Sequence, residues 1–200
     1  MENILLVGYG GHAKSIADCI ERQGNYRIAG YTDSMQRESP YKYLGTDERL
    51  QECYDNGIKK AVIGVGYLGK GKIRETIYDT LKQIGFELPV ISDPSAIISS
   101  TASVGEGTFI GKNVIVNADS YVGRACIINT QALVEHECKI DDFSHIAVSA
   151  VLCGQVQVGR AAFVGANATV IQCMNIPAGS IIPAGVVVRN GYFKKGICNG

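Results

Sequence analysis

The sequence predicts two architectures in tandem, a small α/β unit and then a parallel β-helix, and three observations carry that prediction. From position 98 to 188 an aliphatic residue returns at every sixth place: Ile98, Val104, Ile110, Val116, Val122, Ile128, Val134, Ile140, Ile146, Leu152, Val158, Val164, Val170, Ile176, Ile182 and Val188. Four places after these, the residues are mostly small, among them Ala102, Thr108, Ser120, Cys126, Ala132, Cys138, Ser144, Ala150, Ala162 and Ala168. Ahead of the repeat, the opening ILLVGYGGHA runs from an aliphatic stretch through closely spaced glycines into a helical pattern.

A helical stripe repeats at 3.6 residues and a half-buried strand at 2, so a strict six means a short strand plus a turn, repeated. Three such hexads close one triangular coil, and the span from 98 to 188 holds five coil advances without insertion. The small column suits a cramped interior corner. The place after each aliphatic is often Gly, Asn or Asp (Gly105, Gly111, Asn117, Gly123, Asn129, Asp141, Gly159, Gly165), types that tolerate tight-turn backbone angles.

In order, residues 3–8 read as a strand, 12–23 as a helix and 27–32 as a second strand ending at Asp33. A turn-rich segment to Gly45 follows, then a helix over 47–56, a strand over 61–66, a helix over 70–85 and a strand over 88–92. Asp93 and Pro94 break the pattern, which sets domains of 1–93 and 94–200. Beyond Val188 the tail RNGYFKKGICNG drops the hexad and reads as a short cap or frayed end.

GYGGHA (Gly8, Gly10, Ala13), with an acidic residue some 20 places on at Asp33, fits the phosphate-binding turn of a dinucleotide fold. Its glycines let a backbone approach phosphate, and the helix behind offers unpaired N–H groups. About four strands are too few for both halves of a dinucleotide domain. The expectation is half a site, for one nucleotide diphosphate such as that of a UDP-sugar, rather than an NAD dehydrogenase. GKGK at 69–72 is no Walker A loop, because its spacing is wrong and no Ser or Thr follows the lysine.

Nineteen basic residues balance nineteen acidic ones, which leaves no global field to draw nucleic acid or an anionic membrane. No apolar run reaches membrane-spanning length, and MENILLVGYGG lacks the basic start of a signal peptide. Seven cysteines without a C-x-x-C pair indicate free thiols and a cytoplasmic protein. Cys126 and Cys138 fall in the small inward column and read as core filler.

The histidines are His12, His136 and His145. His136 lies in the turn part of its hexad, two places after Val134, between Glu135 and Glu137. A neighbouring carboxylate can fix an imidazole tautomer and raise its basicity, as general base catalysis requires. His145 follows nine places later, half a coil, so it leaves on another face and could meet His136 only across a subunit boundary. A zinc site of three histidines is excluded for the solenoid, which supplies two.

ILLVGYGGHAKSIADCI and ALVEHECKIDDFSHIAVSAVLCGQVQVG together resemble the hexapeptide-repeat acyltransferases, and within them the acetyltransferases of the NeuD/PglD type. The resemblance implies a left-handed parallel β-helix behind a half-Rossmann βαβ domain, a homotrimer and acetyl-CoA as donor. It implies His136 as general base with Glu137 tuning it, and His145 and the backbone of Ala166 and Ala184 at the coenzyme. Gly10, Gly11 and His12 would lie at the diphosphate and sugar, with Thr32, Asp33 and Gly66 near the nucleoside. The implied reaction is direct transfer to the amino group of a UDP- or dTDP-linked 4-amino sugar for surface glycan synthesis. O-acetylation of a sialic acid is the alternative, which the phosphate-binding turn disfavours because free sialic acid has no diphosphate. A binding or assembly module without catalysis is the reading from another class, and the complete EHE and FSH segments speak against it.

Overall fold

Four consecutive aliphatic residues, Ile4 to Val7, have no exposed surface, as expected of a strand buried on both faces. They lie in β1 (Glu2–Val7), the centre of a parallel sheet ordered β2-β1-β3, with β2 at Tyr26–Thr32 and β3 at Lys60–Ile63. Val7 pairs with both Thr32 and Ile63, so the three carboxyl ends finish level. The computed structural model describes residues 1–69, 72–190 and 192, and the chain divides into one unit of 1–66 and 71–94 and another of 67–70 and 95–200.

In the first unit, α1 (Gly11–Gln23) buries Ala13, Ile16, Ala17 and Ile20, the spacing of one helical stripe, and stops at Gly24 in the left-handed region. A 3-10 turn, Asp47–Arg49, leads into α2 (Leu50–Asp55), where the sequence reads as one helix over 47–56. The strand expected over 61–66 ends early. A Cβ at Gly64 would stand 2.2 Å from the Gly8 carbonyl oxygen, so the chain passes the glycine turn at a distance that only a glycine allows. Buried Arg74, in the first turn of α3 (Ile73–Ile84), donates to the carbonyls of Ile63 and Val65 and so caps the end of β3. The strand expected over 88–92 shrinks to β4 (Ile91–Ser92), while Glu87 makes an isolated bridge to Lys60. Asp93 is a buried carboxylate whose Oδ2 lies 3.4 Å from Arg22 Nη1.

The second unit is a parallel β-solenoid of two-residue strands, from Ile97–Ile98 to Val187–Val188. Every rung pairs positions one full coil apart, as in Leu133↔Val151 and His145↔Phe163. From Ile110 to Val188 each hexad aliphatic is at most 1% exposed. Burial of such a side chain stabilises by about 1.5–3 kcal/mol. That offsets the roughly 1–2 kcal/mol of each left-handed turn residue.

Those turn residues do not sit where the sequence suggests. The left-handed conformation falls three places after each aliphatic, on eleven non-glycine residues from Asn113 to Cys173 with φ between 50° and 61°. The glycines directly after the aliphatics serve close approach instead. A Cβ at Gly105 would stand 2.7 Å from the Gly123 carbonyl carbon on the next coil.

The small column is also more than filler. Ser120 Oγ donates to the Glu135 carbonyl at 2.7 Å, Ser144 Oγ to Gly159 at 3.0 Å and Thr108 Oγ1 to Gly123 at 2.7 Å. The thiols of Cys126 and Cys138 donate to Asp141 and Cys153 in the same way. Each tethers a corner carbonyl from inside. Most of the tail expected to form a cap lies outside the described residues, as do Lys70 and Gly71 of GKGK.

Candidate active site

Because each coil of the solenoid retraces the one before it, side chains one coil apart stack at one corner. Ala118, His136, Gly154 and Gln172 form one such column, and Asp119, Glu137, Gln155 and Cys173 the column beside it. Asp119, Glu137, Gln155 and Cys173 all have φ between 57° and 61°, so their side chains leave the backbone in the same direction.

His136 Nδ1 lies 3.0 Å from Glu137 Oε2. A carboxylate only accepts, so Nδ1 carries the proton and Nε2 keeps its lone pair. The imidazole is 57% exposed. Beneath it lies Gly154, where a Cβ would stand 2.6 Å from Nε2, closer than real Cβ contacts come. The corner is held from several sides. The His136 N–H donates to Glu135 Oε2 at 3.2 Å, and the His136 carbonyl accepts from Gln155 N at 2.9 Å. Ser120 and Cys138 hold the adjacent carbonyls of Glu135 and Cys153. Burial pushes the Cys138 thiol up to about 11, so it is a structural donor at neutral pH rather than a nucleophile.

His145 has a different setting. It is 6% exposed, on a strand rather than in a turn. Its Nδ1 faces the Tyr67 carbonyl, which only accepts, so Nδ1 is the protonated nitrogen. Its Nε2 accepts from Asn129 Nδ2 at 3.2 Å, and Asn129 is oriented by accepting the Thr130 N–H on Oδ1 at 2.8 Å. Tyr67 in turn donates its hydroxyl to Ala161 O at 2.7 Å. His145 thus fastens the Tyr67 segment to the solenoid, a part the sequence does not suggest. As expected, its side chain leaves from another face than His136. Ala166 and Ala184, one coil apart, stack at a third corner, and the Ala166 carbonyl already accepts from Gly185 N at 2.8 Å.

In the first unit the Gly8–His12 turn crosses the level carboxyl ends of the sheet, the usual ligand edge of such folds. Gly8, with φ of 88°, would collide with Val65 if it carried a side chain. Above Gly10 and Gly11 a Cβ would meet nothing within 4 Å, and no side chain caps the start of α1. His12 and Gly66 are neighbours, a Cβ at Gly66 standing 3.5 Å from His12 Cβ. Asp33 accepts the Tyr9 N–H at 2.9 Å as well as Ser34 and Arg37. Burial raises its pKa, but these donors outweigh it and hold the carboxyl below its usual range. Thr32 is fully buried, and its hydroxyl is given to Asp47 at 2.7 Å.

Gly154, Gln155 and Cys173 escape a reading confined to the EHE segment, although stepping one or two coils on from 136 and 137 finds all three. Tyr67 and Asn129 have no such signal.

Residues 3–81 match the family model described as the PglD N-terminal domain. Over 116 residues the chain is 34% identical to UDP-N-acetylbacillosamine N-acetyltransferase of Bacillus subtilis, a match that takes in 55% of this chain and spans about half, 51%, of that relative's length. Among solved structures it is similar to a histidine-to-asparagine variant of perosamine N-acetyltransferase from Caulobacter crescentus, in complex with CoA and GDP-perosamine. That likeness has 30% identity and a TM-score of 0.89, over 94% of this chain and 89% of the other. It is also similar to the acetyltransferase domain of PglB from Neisseria gonorrhoeae, at 28% identity and a TM-score of 0.88, over 94% and 92% of the two chains. That domain has also been solved in complex with acetyl coenzyme A.

Proposed function

Because this chain belongs to the NeuD/PglD type of hexapeptide-repeat acetyltransferases, we propose that it moves the acetyl group of acetyl-CoA onto the amino group of a nucleotide-linked amino sugar. One observation carries the chemistry: Glu137 holds the proton on His136 Nδ1 and leaves Nε2 exposed as an acceptor. The amine attacks the thioester carbonyl as Nε2 takes its proton. A backbone N–H of the corner, with Gly154 placed against Nε2, steadies the oxyanion. Collapse breaks the carbon–sulfur bond, and the proton on His136 passes to the departing thiolate.

The relatives support both substrates, since one is complexed with CoA and GDP-perosamine and another with acetyl-CoA. In the first unit, the open Gly10–Gly11 turn and uncapped start of α1 suit a diphosphate. His12 and Gly66 stand beside that turn. Asp33 acts on the nucleoside side chiefly by fixing Tyr9. The donor falls to the solenoid, where His145, Ala166 and Ala184 are assigned to coenzyme contacts, His145 only through its exposed ring edge.

We assign the assembly as a homotrimer. The outward residues of one solenoid sheet, Ile97, Ile115, Leu133, Val151, Thr169 and Val187, make a nearly unbroken apolar column. Another sheet presents Ser103, Tyr121, Lys139, Gln157 and Asn175. Sedimentation should give three times 21.4 kDa, and Leu133→Asp should reduce that mass.

The deciding assay follows CoA release from acetyl-CoA with GDP- and UDP-linked 4-amino sugars and with free sialic acid. Turnover with a nucleotide amino sugar and none with sialic acid is the expected result. Turnover with sialic acid alone would replace this reading by O-acetylation.

A further inference from the structure

Glu137 can set the His136 tautomer only if it is itself held, yet its side chain is 52% exposed on a turn. A free glutamate there would spread over several rotamers, most of them turned away from the ring. The next coil supplies the restraint. Gln155 Nε2 donates at 3.1 Å to Glu137 Oε2, the same oxygen that faces His136 Nδ1. The Gln155 amide is oriented in turn, since Cys173, one coil further on, points its thiol at Oε1 from 3.3 Å. Because a carboxylate accepts and a thiol donates, the amide has one consistent direction, nitrogen to Glu137 and oxygen to Cys173.

We propose that Gln155 is a positioning residue for the acetyl transfer, acting through Glu137 to keep the His136 proton on Nδ1, with Cys173 fixing its amide. The repeat makes the arrangement possible. Glu137, Gln155 and Cys173 share one left-handed turn conformation on rungs stacked about 4.8 Å apart. Parallel side chains at that spacing reach one another without bending the backbone. Gln155 also donates its own N–H to the His136 carbonyl at 2.9 Å, so one residue holds the backbone of the base and the carboxylate beside it.

The proposal rests on His136 being the base, and its test separates the two ideas. Nitrogen-15 spectra of the histidine rings, recorded on the whole protein without substrates, should show His136 as a single Nδ1–H tautomer. In Gln155→Leu they should show a mixture. With acetyl-CoA and the amino sugar, Gln155→Leu should lower kcat about 5- to 20-fold, a fraction of the 10²–10⁴ that a general base supplies. Both KM values should stay within about twofold of wild type, since the base acts in the transition state. Cys173→Ser, which keeps a donor, should match wild type, and Cys173→Val should lose about two- to threefold by the same reasoning.

A wild-type tautomer signal together with wild-type kcat in Gln155→Leu overturns the proposal. Equal behaviour of Cys173→Ser and Cys173→Val overturns the part given to Cys173, and that pair also serves if the leucine variant does not fold. Full activity in His136→Ala would instead sink the assignment of the base, while the spectra would still judge the relay.

Discussion

His136 and His145 stand half a coil apart on one solenoid, and both rings carry their proton on Nδ1. For His136 a carboxylate dictates this, and for His145 the carbonyl of Tyr67. The difference lies at Nε2. In His136 that nitrogen stands over Gly154 in an exposed corner, and in His145 it is taken by the Asn129 amide in a ring only 6% exposed. A fixed tautomer alone therefore does not make a base. The second nitrogen has to be left uncommitted, and at His136, the proposed base, a missing side chain leaves it so.

The largest effect expected from this contrast is on turnover. His136→Ala should lower kcat by about 10²- to 10⁴-fold. Removing an exposed side chain changes stability by about 0.5 kcal/mol or less, so Tm should move by no more than about 2 °C. His145→Ala should do the reverse. Taking these bonds from the buried Tyr67 carbonyl and the half-buried Asn129 amide costs about 1–3 kcal/mol, seen as a fall in Tm of roughly 2–12 °C. Paired melting curves and steady-state kinetics decide it. The contrast fails if His145→Ala melts normally and loses as much kcat as His136→Ala.

Gly154→Ala sharpens the comparison at the next level. Its methyl would stand 2.6 Å from Nε2, so the exposed ring has to swing aside. A displacement near 1 Å can cost about 100-fold, and the expected loss is about 10- to 100-fold in kcat with little change in melting. Wild-type kcat in a folded Gly154→Ala protein would show that the ring works from another position.

The smallest effect belongs to the corner that lies between the two histidines along the chain. Burial raises the pKa of Asp142, but Arg124, bonded to it at 2.7 Å, and Arg160 outweigh that and hold it below its ordinary value of 3.8. A lowered carboxylate pKa in the folded state adds stability above the ordinary value and loses it as pH falls through the folded one. Asp142→Asn should therefore melt slightly lower at pH 7, with the gap closing below about pH 4. Its kcat should match wild type, and a large loss would mean that this corner reaches His136.

The solenoid was legible because its period is enforced by packing: one aliphatic per hexad must point inward, and a slip of one residue would expose the whole column. The same arithmetic places Gly154 and Gln155 beside His136. It cannot place Tyr67, which comes from outside the repeat and is brought to His145 by tertiary structure alone. Likewise, the spacing of Asp33 from the glycine turn does not reveal that its carboxylate accepts from Tyr9, Ser34 and Arg37. The left-handed turns on Phe143 and Ala161 were illegible because neither residue type favours that conformation. The inward aliphatics on either side over-determine it.

The constant interval from rung to rung also governs how the chain finds this shape. Each new coil closes a loop of the same modest length onto a rung already formed, so the entropy of closure does not grow as the solenoid lengthens. Short sequence separation favours rapid folding, and repeat structures can grow from any formed segment. Coils can therefore be added one after another as the chain is synthesised, and the corner carrying His136 gains its floor only when the following coil brings in Gly154 and Gln155.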